Sequence, residues 1–532
     1  MARRPNFVLF ITDQHRADHL GCYGNRLLHT PAIDRLAARG VRFDNFHVAS
    51  PVCMPNRASL MTGRMPSLHG VRHNGIPLAR DQVTFVELLA AAGYATALAG
   101  KLHLQNFTGR PPNFSFEEKP GFAPPPADLR EAMRRSLSGP AYDAENDMLW
   151  RTEDHKVALP FYGFGRADIC TGHGDQAGGD YRRWLAARGA DPDRLAGPAN
   201  ALPDPTRKGP QCWRTKMPEE LYPTAYVEDR AADFLKSHAA AGGDRPFFLQ
   251  VSFPDPHHPF TPPGRFWDMY DPRDVELPAN FSAGDLPALT HLRRALAEGR
   301  AVRDLPTLPF AVTEDEARTI IALTYGMIAM IDEALGRIVR LVEDLGLGED
   351  TVFLFTADHG DYMGDHGLMT KYLLHYRSLT RVPLIVADPA SAAAGTSRRD
   401  LGNTLDIAAT VLARAGLQPC NGMQGRDLFD ATAPAPASLL IEEEGSLPMF
   451  GEGARERVRT LLTDGWRLTL HRAQGGRGAD WWELYDLAAD PGESDNLWSR
   501  NEARDAAARL TAEMIARMTQ LQDTSPLPTG RA

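Results

Sequence analysis

"NFVLFITDQ", residues 6–14, is an apolar, β-branched run that ends on a carboxylate and an amide. A short continuous apolar run bounded by polar residues is the pattern of a strand buried on both faces, as in a parallel sheet. The pattern returns in "ATALAG" (95–100), "PFFLQVSF" (246–253), "TVFLFTAD" (351–358) and "VPLIVAD" (382–388), each followed by a polar loop. Longer stretches with helical spacing separate these runs. That alternation predicts an α/β domain with a mostly parallel central sheet flanked by helices. The clearest helix opens on the capping box Thr313-Glu314-Asp315-Glu316 and repeats apolar residues at Ile320, Leu323, Met327, Met330, Ala334, Ile338, Leu341 and Leu345. A second is predicted from Thr404 to Ala415, with Gly416 placed for a left-handed cap.

The catalytic unit is expected over residues 1–430, with an irregular, Pro- and Gly-rich excursion at about 105–223 that leaves the sheet and shapes a pocket rim. After the linker "ATAPAPAS" (431–438), residues 439–522 read as a small C-terminal α+β domain. Its strands flank the hairpin turn Asp464-Gly465, and residues 523–532 form a frayed tail. A net charge of −10 over 532 residues argues against a general nucleic-acid binder, which needs clustered Lys and Arg. No stretch approaches the roughly eighteen or more apolar residues of a membrane span. The first apolar run, about six residues, is shorter than a secretory core, so a cytoplasmic location and no membrane partner are expected. Five scattered cysteines, Cys22, Cys53, Cys170, Cys212 and Cys420, predict no disulfide framework.

In an open α/β sheet, ligands bind beyond the carboxyl ends of the strands. Asp13 and Gln14 end the first run, and Asp358 and His359 end the fourth. Two such pairs converging would make a divalent metal site of carboxylate, amide and imidazole. Lys101 and His103 follow a strand on alternate positions, His257 follows another between two prolines, and Lys371 follows the Asp358 loop. Cations near a metal suit an anionic tetrahedral group, with a histidine to protonate the leaving alcohol. That combination is a hydrolase constellation. Taken singly, Asp and His at strand ends more often form turns, and a lone Lys or His is more often a solvated surface group.

"CMPNRASLMTGR" (53–64) resembles the Cys-x-Pro-x-Arg signature of the sulfatase family, in the alkaline phosphatase superfamily. "ITDQHRADHLGCYG", "GYATALAGKLHL", "PHHP", "TADHGDYMGDHGL", "RVPLIV" and "ELYDLAADPGESDNL" follow in the family's order, from about residue 6 to 498. The resemblance implies a large α/β domain with a smaller C-terminal one. It also implies that a separate formylglycine-generating enzyme oxidises Cys53, and that the hydrated aldehyde attacks a small anionic sulfate ester. By the same resemblance Arg57 orients the diol, His103 assists its deprotonation, Lys101 and Lys371 hold sulfate oxygens, and His257 serves the leaving oxygen. Asp13, Gln14, Asp358, His359 and the converted Cys53 are the implied metal ligands.

Three features depart from the common family pattern. Gln14 stands where an aspartate is usual and His359 where an asparagine is usual, as in phosphonate monoester hydrolases and phosphodiesterases of the same superfamily and in some choline-sulfatase-like members. Calcium is the family's expected ion, but the imidazole suits manganese or zinc better. Lys101 and His103 point back to sulfatases. The run "KYLLHYRSLTR" is one residue longer than the commonest pattern, which makes Lys371 the less secure of the two lysines. Asn74 is a candidate substrate contact, or simply the first residue of an Asn-Gly turn. The readings carried forward are a sulfate ester hydrolase, a phosphonate or phosphodiester hydrolase using the same site, and an inactive homologue that binds sulfated ligands.

Overall fold

The computed structural model describes residues 4–112, 118–133, 137–152, 154–243, 245–305, 308–445, 456–473 and 479–524. Its main sheet has nine described strands. The central five run parallel in the order Thr351–Ala357, Asn6–Thr12, Phe247–Ser252, Ala95–Gly100, Arg166–Thr171. Asn6–Thr12 pairs on both edges, Val8 opposite Leu249 on one side and Phe353 on the other, and every one of its residues is buried. This is why the run lacks alternation: both faces meet helices.

Two expectations change. Leu384–Ala387 joins the sheet antiparallel to Thr351–Ala357, and Val41–Phe43 and Thr396–Arg398 extend that edge. Residues 105–223 do not leave the sheet throughout, because Arg166–Thr171 pairs in parallel with Ala95–Gly100. Its first three residues, Arg-Ala-Asp, are only half buried, so the segment lacks the apolar run that marks the other strands.

The capping box is formed as expected: Thr313 accepts from the Glu316 N–H, and the Glu316 carboxylate accepts from the Thr313 N–H. The helix it opens runs Glu314–Asp344 and is long and apolar enough to cross a membrane. Its most apolar window is 94% buried inside the protein, which makes it the central core helix on one face of the sheet. The helix itself was expected, but the expectation that no stretch is long and apolar enough for a membrane span is corrected by it, because its apolar residues are spread over 31 positions with polar ones between them. The helix Leu405–Arg414 packs on the other face, against Cys53–Thr62.

Ser438–Glu444, Glu456–Thr463, Trp466–Ala473 and Trp481–Asp486 form a separate antiparallel sheet, with the helix Arg504–Gln520 against it. Residues 464 and 465 join its two middle strands, as the Asp-Gly pair predicts. Residues 525–532 of the expected tail lie outside the described residues.

Candidate active site

The loops after the five parallel strands converge at one edge of the sheet. Cys53 opens the helix Cys53–Thr62 and is buried there, its N-cap Val52 extended. Its Sγ lies 3.0 Å from Lys371 Nζ, 3.2 Å from His359 Nε2 and 3.9 Å from Asp13 Oδ1. Asn74 Oδ1 accepts from the Met54 N–H at 3.0 Å, a donor left free by the start of the helix. Asn74 therefore holds the helix start that presents Cys53.

Arg57, one turn further on, is 2% exposed and uses its whole guanidinium fork. Nε donates to Asp358 Oδ2 at 2.7 Å and Nη2 to Asp13 Oδ2 at 3.3 Å, while Nη1 donates to the Lys101 carbonyl and Ser252 Oγ. It ties together the ends of four strands. None of its nitrogens is bonded to Cys53.

Gln14 sits at φ 62°, in the left-handed region that costs a non-glycine residue strain. Its amide is oriented by its neighbours, because Nε2 donates to Asp361 Oδ2 at 2.5 Å and to His258 Nδ1 at 3.1 Å. Oε1 is thereby turned toward Lys371 Nζ, 3.0 Å away. His359 Nδ1 donates to the Gly360 carbonyl at 2.8 Å, which leaves Nε2 for the site. Asp13, Cys53, Asp358 and His359 each place one ligand atom within 4.8 Å of the others. Two carboxylates, an imidazole and the neighbouring amide oxygen fit a divalent cation, and the nitrogen ligand suits manganese or zinc better than calcium.

Lys371 Nζ also lies 3.0 Å from His257 Nε2, whose Nδ1 donates to the His258 carbonyl at 2.5 Å. Lys101 donates to Asp13 Oδ2 and lies 2.6 Å from His173 Nε2. His173 in turn stacks on His257, ring centres 3.6 Å apart at 11°. His103 is buried at φ 57° and stacked on Phe107, its Nδ1 without a partner among the described residues and neither nitrogen bonded to Cys53. The Glu145 carboxylate accepts from the backbone N–H of His103, Leu104 and Gln105 and holds that loop.

Burial opposes ionisation of Asp13, but Lys101 and Arg57 outweigh it and hold the carboxyl well below the usual range. Burial and Asp13 push the Cys53 thiol up, yet Lys371, Lys101 and His359 pull it below its ordinary value. Burial followed by neighbouring cations holds His257, His173 and His103 well below the usual imidazole value, so all three are neutral at pH 7. Three cationic side chains around two carboxylates leave the pocket prepared for an anion.

Every candidate from the sequence except Asn74 lies in or beside this cluster, and Asn74 lies directly beneath it. His173, His258, Asp361 and Glu145 were missed. His173 follows a strand in "TGHGD" as His257 does, but that strand was hidden by its polar first half.

The sulfatase family model matches residues 5–417. The chain belongs to the sulfatase family. A second match, to the C-terminal region of N-sulphoglucosamine sulphohydrolase, covers residues 364–522 of the sulfatase. An arylsulfatase from Clostridium perfringens is 27% identical over 96% of this chain and 94% of its own. A multifunctional alkaline phosphatase superfamily protein, PehA, from Trinickia caryophylli is 27% identical over 93% of this chain and 91% of its own. Among solved structures, a phosphonate monoester hydrolase of Agrobacterium radiobacter superposes with a TM-score of 0.74 at 24% identity, covering 98% of this sulfatase and 97% of that chain. The protein is a sulfuric ester hydrolase with an alkaline-phosphatase-like fold.

Proposed function

We propose that this sulfatase hydrolyses its sulfate ester through formylglycine made from Cys53 by a separate maturation enzyme, with one divalent metal ion. The observation that carries the reading is the placement of Cys53: at a helix start, within reach of Lys371, His359 and Asp13, in a Cys-x-Pro-x-Arg frame. The hydrated aldehyde supplies an oxygen nucleophile and a second hydroxyl whose deprotonation releases sulfate. Asp13, Gln14, Asp358 and His359 would hold the ion, which when bound supplies Lewis-acid stabilisation of negative oxygen.

The chain's own groups do the rest. Arg57 fixes Asp13 and Asp358 so that neither carboxylate turns away from the site. Lys101 and Lys371 bind sulfate oxygens, and the start of the Cys53–Thr62 helix adds a favourable dipole. By the family resemblance His103 would take a proton from residue 53, and to do so its ring must turn from its stack on Phe107, since neither of its nitrogens is bonded to Cys53. His257, neutral with its Nδ1 proton committed to a carbonyl, presents a bare Nε2 to the Lys371 ammonium. The leaving oxygen is therefore served by a Lys371–His257 pair, with the ammonium as the proton-rich partner.

The test is mass spectrometry of the tryptic peptide from Phe43 to Arg57. Active protein should show the loss of sulfur at Cys53, and full activity with unmodified cysteine would sink the reading. Gln14 and His359, together with the fold likeness to a phosphonate monoester hydrolase, support a second substrate class. Aryl sulfate, phosphonate monoester and phosphodiester with one leaving group should be compared. Sulfate should be preferred, and preference for the phosphorus esters by orders of magnitude would reverse the assignment.

A further inference from the structure

A cavity of about 510 Å³ lies beside the outer strand Val41–Phe43, between the short helix Arg377–Thr380 and the hairpin turn of the C-terminal sheet. None of the residues assigned to catalysis or metal binding lines it. Four guanidinium groups do, those of Arg42, Arg377, Arg381 and Arg399, against two carboxylates, Asp44 and Asp464. In a chain of net charge −10 this is a local excess of positive charge.

The carboxylates do not neutralise it. Asp44 is committed to Arg42, at 2.7 Å from its Nε. Asp464 makes no ion pair among the described residues, and it sits exposed on the turn. Arg381 donates Nε to the Asp44 carbonyl at 2.7 Å and makes no carboxylate ion pair among the described residues, with Asp18 and Asp44 acting on it only at longer range. Arg377 lies four residues before it, with the Arg381 N–H bonded to the Arg377 carbonyl at 2.8 Å. Two like charges at that spacing repel. The Arg377 side chain makes no hydrogen bond or ion pair among the described residues; Glu493, close enough to feel its charge, is bonded to Arg467 and to the Arg377 backbone N–H. Arg399 is exposed and makes no ion pair among the described residues, whereas its neighbour Arg398 pairs with Asp400. Burial and Arg377 together push the Arg381 guanidinium below its ordinary pKa.

The wall behind these groups is rigid. The Tyr23 hydroxyl donates toward the carbonyls of Phe43 and Leu384 and accepts from the Leu384 N–H, all at 3.0 Å, while Arg42 and Arg381 both lie over its ring. Half-buried guanidinium without a paired carboxylate is costly to fold around, and pairing with an anion offsets that cost. We propose that this cavity is a second oxyanion site, separate from the catalytic cluster, in which Arg377, Arg381 and Arg399 take a tetrahedral sulfate or phosphate group. The group is either free in solution or borne by a remote part of a polyanionic substrate.

The first test is diffraction from crystals soaked in selenate, which mimics sulfate and scatters anomalously. A peak is expected in the cavity as well as at Cys53. The double variant Arg377→Gln/Arg399→Gln should lose the cavity peak and keep the other, and titration with inorganic sulfate should show at least a ~10-fold loss at one site. Arg399→Gln alone, at an exposed position, should weaken that site without affecting folding. An empty cavity in the wild type, or a peak indifferent to both variants, overturns the proposal. Kinetics separate the sources of the anion. A KM that rises only for a doubly sulfated ester marks a substrate-borne group, and unchanged KM values with sulfate binding lost mark a free one. Cavity binding does not require conversion of Cys53, so full activity with unmodified Cys53 would sink the formylglycine reading and leave the cavity site standing, whereas an empty cavity in active, converted protein would sink the cavity site alone.

Discussion

His173 is bonded through Nε2 to Lys101 and stacked flat on His257, so one ring positions both a sulfate-holding cation and the residue assigned to the leaving oxygen. Its value lies in what it adds: without the stack, the His257 ring is held by its Nδ1 bond to the His258 carbonyl and by the His258 ring, and keeps its alignment with Lys371 less tightly. His173→Ala should lower kcat/KM by roughly 10²-fold for esters of poor leaving alcohols and much less for good ones, following the usual size of general-acid terms. The measurement is a leaving-group series on wild type and variant. Equal losses across the series would reduce His173 to a packing residue. At this scale the reactive groups were legible, because carboxylates, imidazoles and lysines after apolar runs are conspicuous in a string of letters. Their supports were not. Asp361 and Glu145 look like ordinary loop acids until Gln14 is seen turned by one and the His103 backbone held by the other.

The loop that carries Lys371 shows why an element needs more than its own residues. Thr370, Tyr372 and Leu373 all adopt positive φ, a strained course for three non-glycine residues. The C-terminal sheet holds them there. Glu443, buried in its first strand, accepts from the Leu373 N–H at 2.9 Å and bonds His375 Nε2 at 3.0 Å, while His375 Nδ1 meets Thr460 at 2.8 Å. Glu443→Ala should raise KM and lower kcat/KM by about tenfold, through loss of a buried charge-assisted acceptor. Glu443→Gln should recover much of the loss, since the amide oxygen still accepts from Leu373. Amide exchange over residues 371–375 should speed up in parallel. Normal kinetics in the alanine variant would show that the loop keeps its course unaided. The long Glu314–Asp344 helix is the opposite case, since its cap and spacing are written into adjacent residues. Arg166–Thr171 was missed because its half-buried, polar start carries no period that local reading can find.

At the scale of the whole molecule, a buried chain of charges runs through the C-terminal domain and meets the catalytic unit where Glu493 accepts from the Arg377 N–H at 2.7 Å. Arg467 lies between Glu483 at 3.1 Å and Glu493 at 2.5 Å, and His471 lies between Glu483 at 2.7 Å and Glu456 at 3.0 Å. Burial opposes the charge on Glu483, but Arg467 and His471 hold its carboxyl down to about 2, against an ordinary 4.5. A depressed carboxyl stabilises the fold above its ordinary value and loses that contribution as the pH falls through 4.5 toward 2. His471 is raised above 6.5, so its share is present below that value and fades as the pH rises through its folded pKa. Denaturant unfolding should therefore show wild type losing about 3 kcal/mol more than Glu483→Gln between pH 5 and pH 2. Parallel stability curves would remove Glu483 from the acid response. The sequence by itself determined the strand-and-helix alternation, the capped core helix, the Asp-Gly hairpin and the reactive residues, because each rests on near neighbours or on one side chain's chemistry. Only the tertiary structure decided the antiparallel edge, the strand inside the excursion, the His173–His257 stack, the hold of Glu443 on the Lys371 loop and the arginine cavity. Those depend on side chains up to several hundred residues apart meeting in space, and neither periodicity nor composition encodes a distance of that kind.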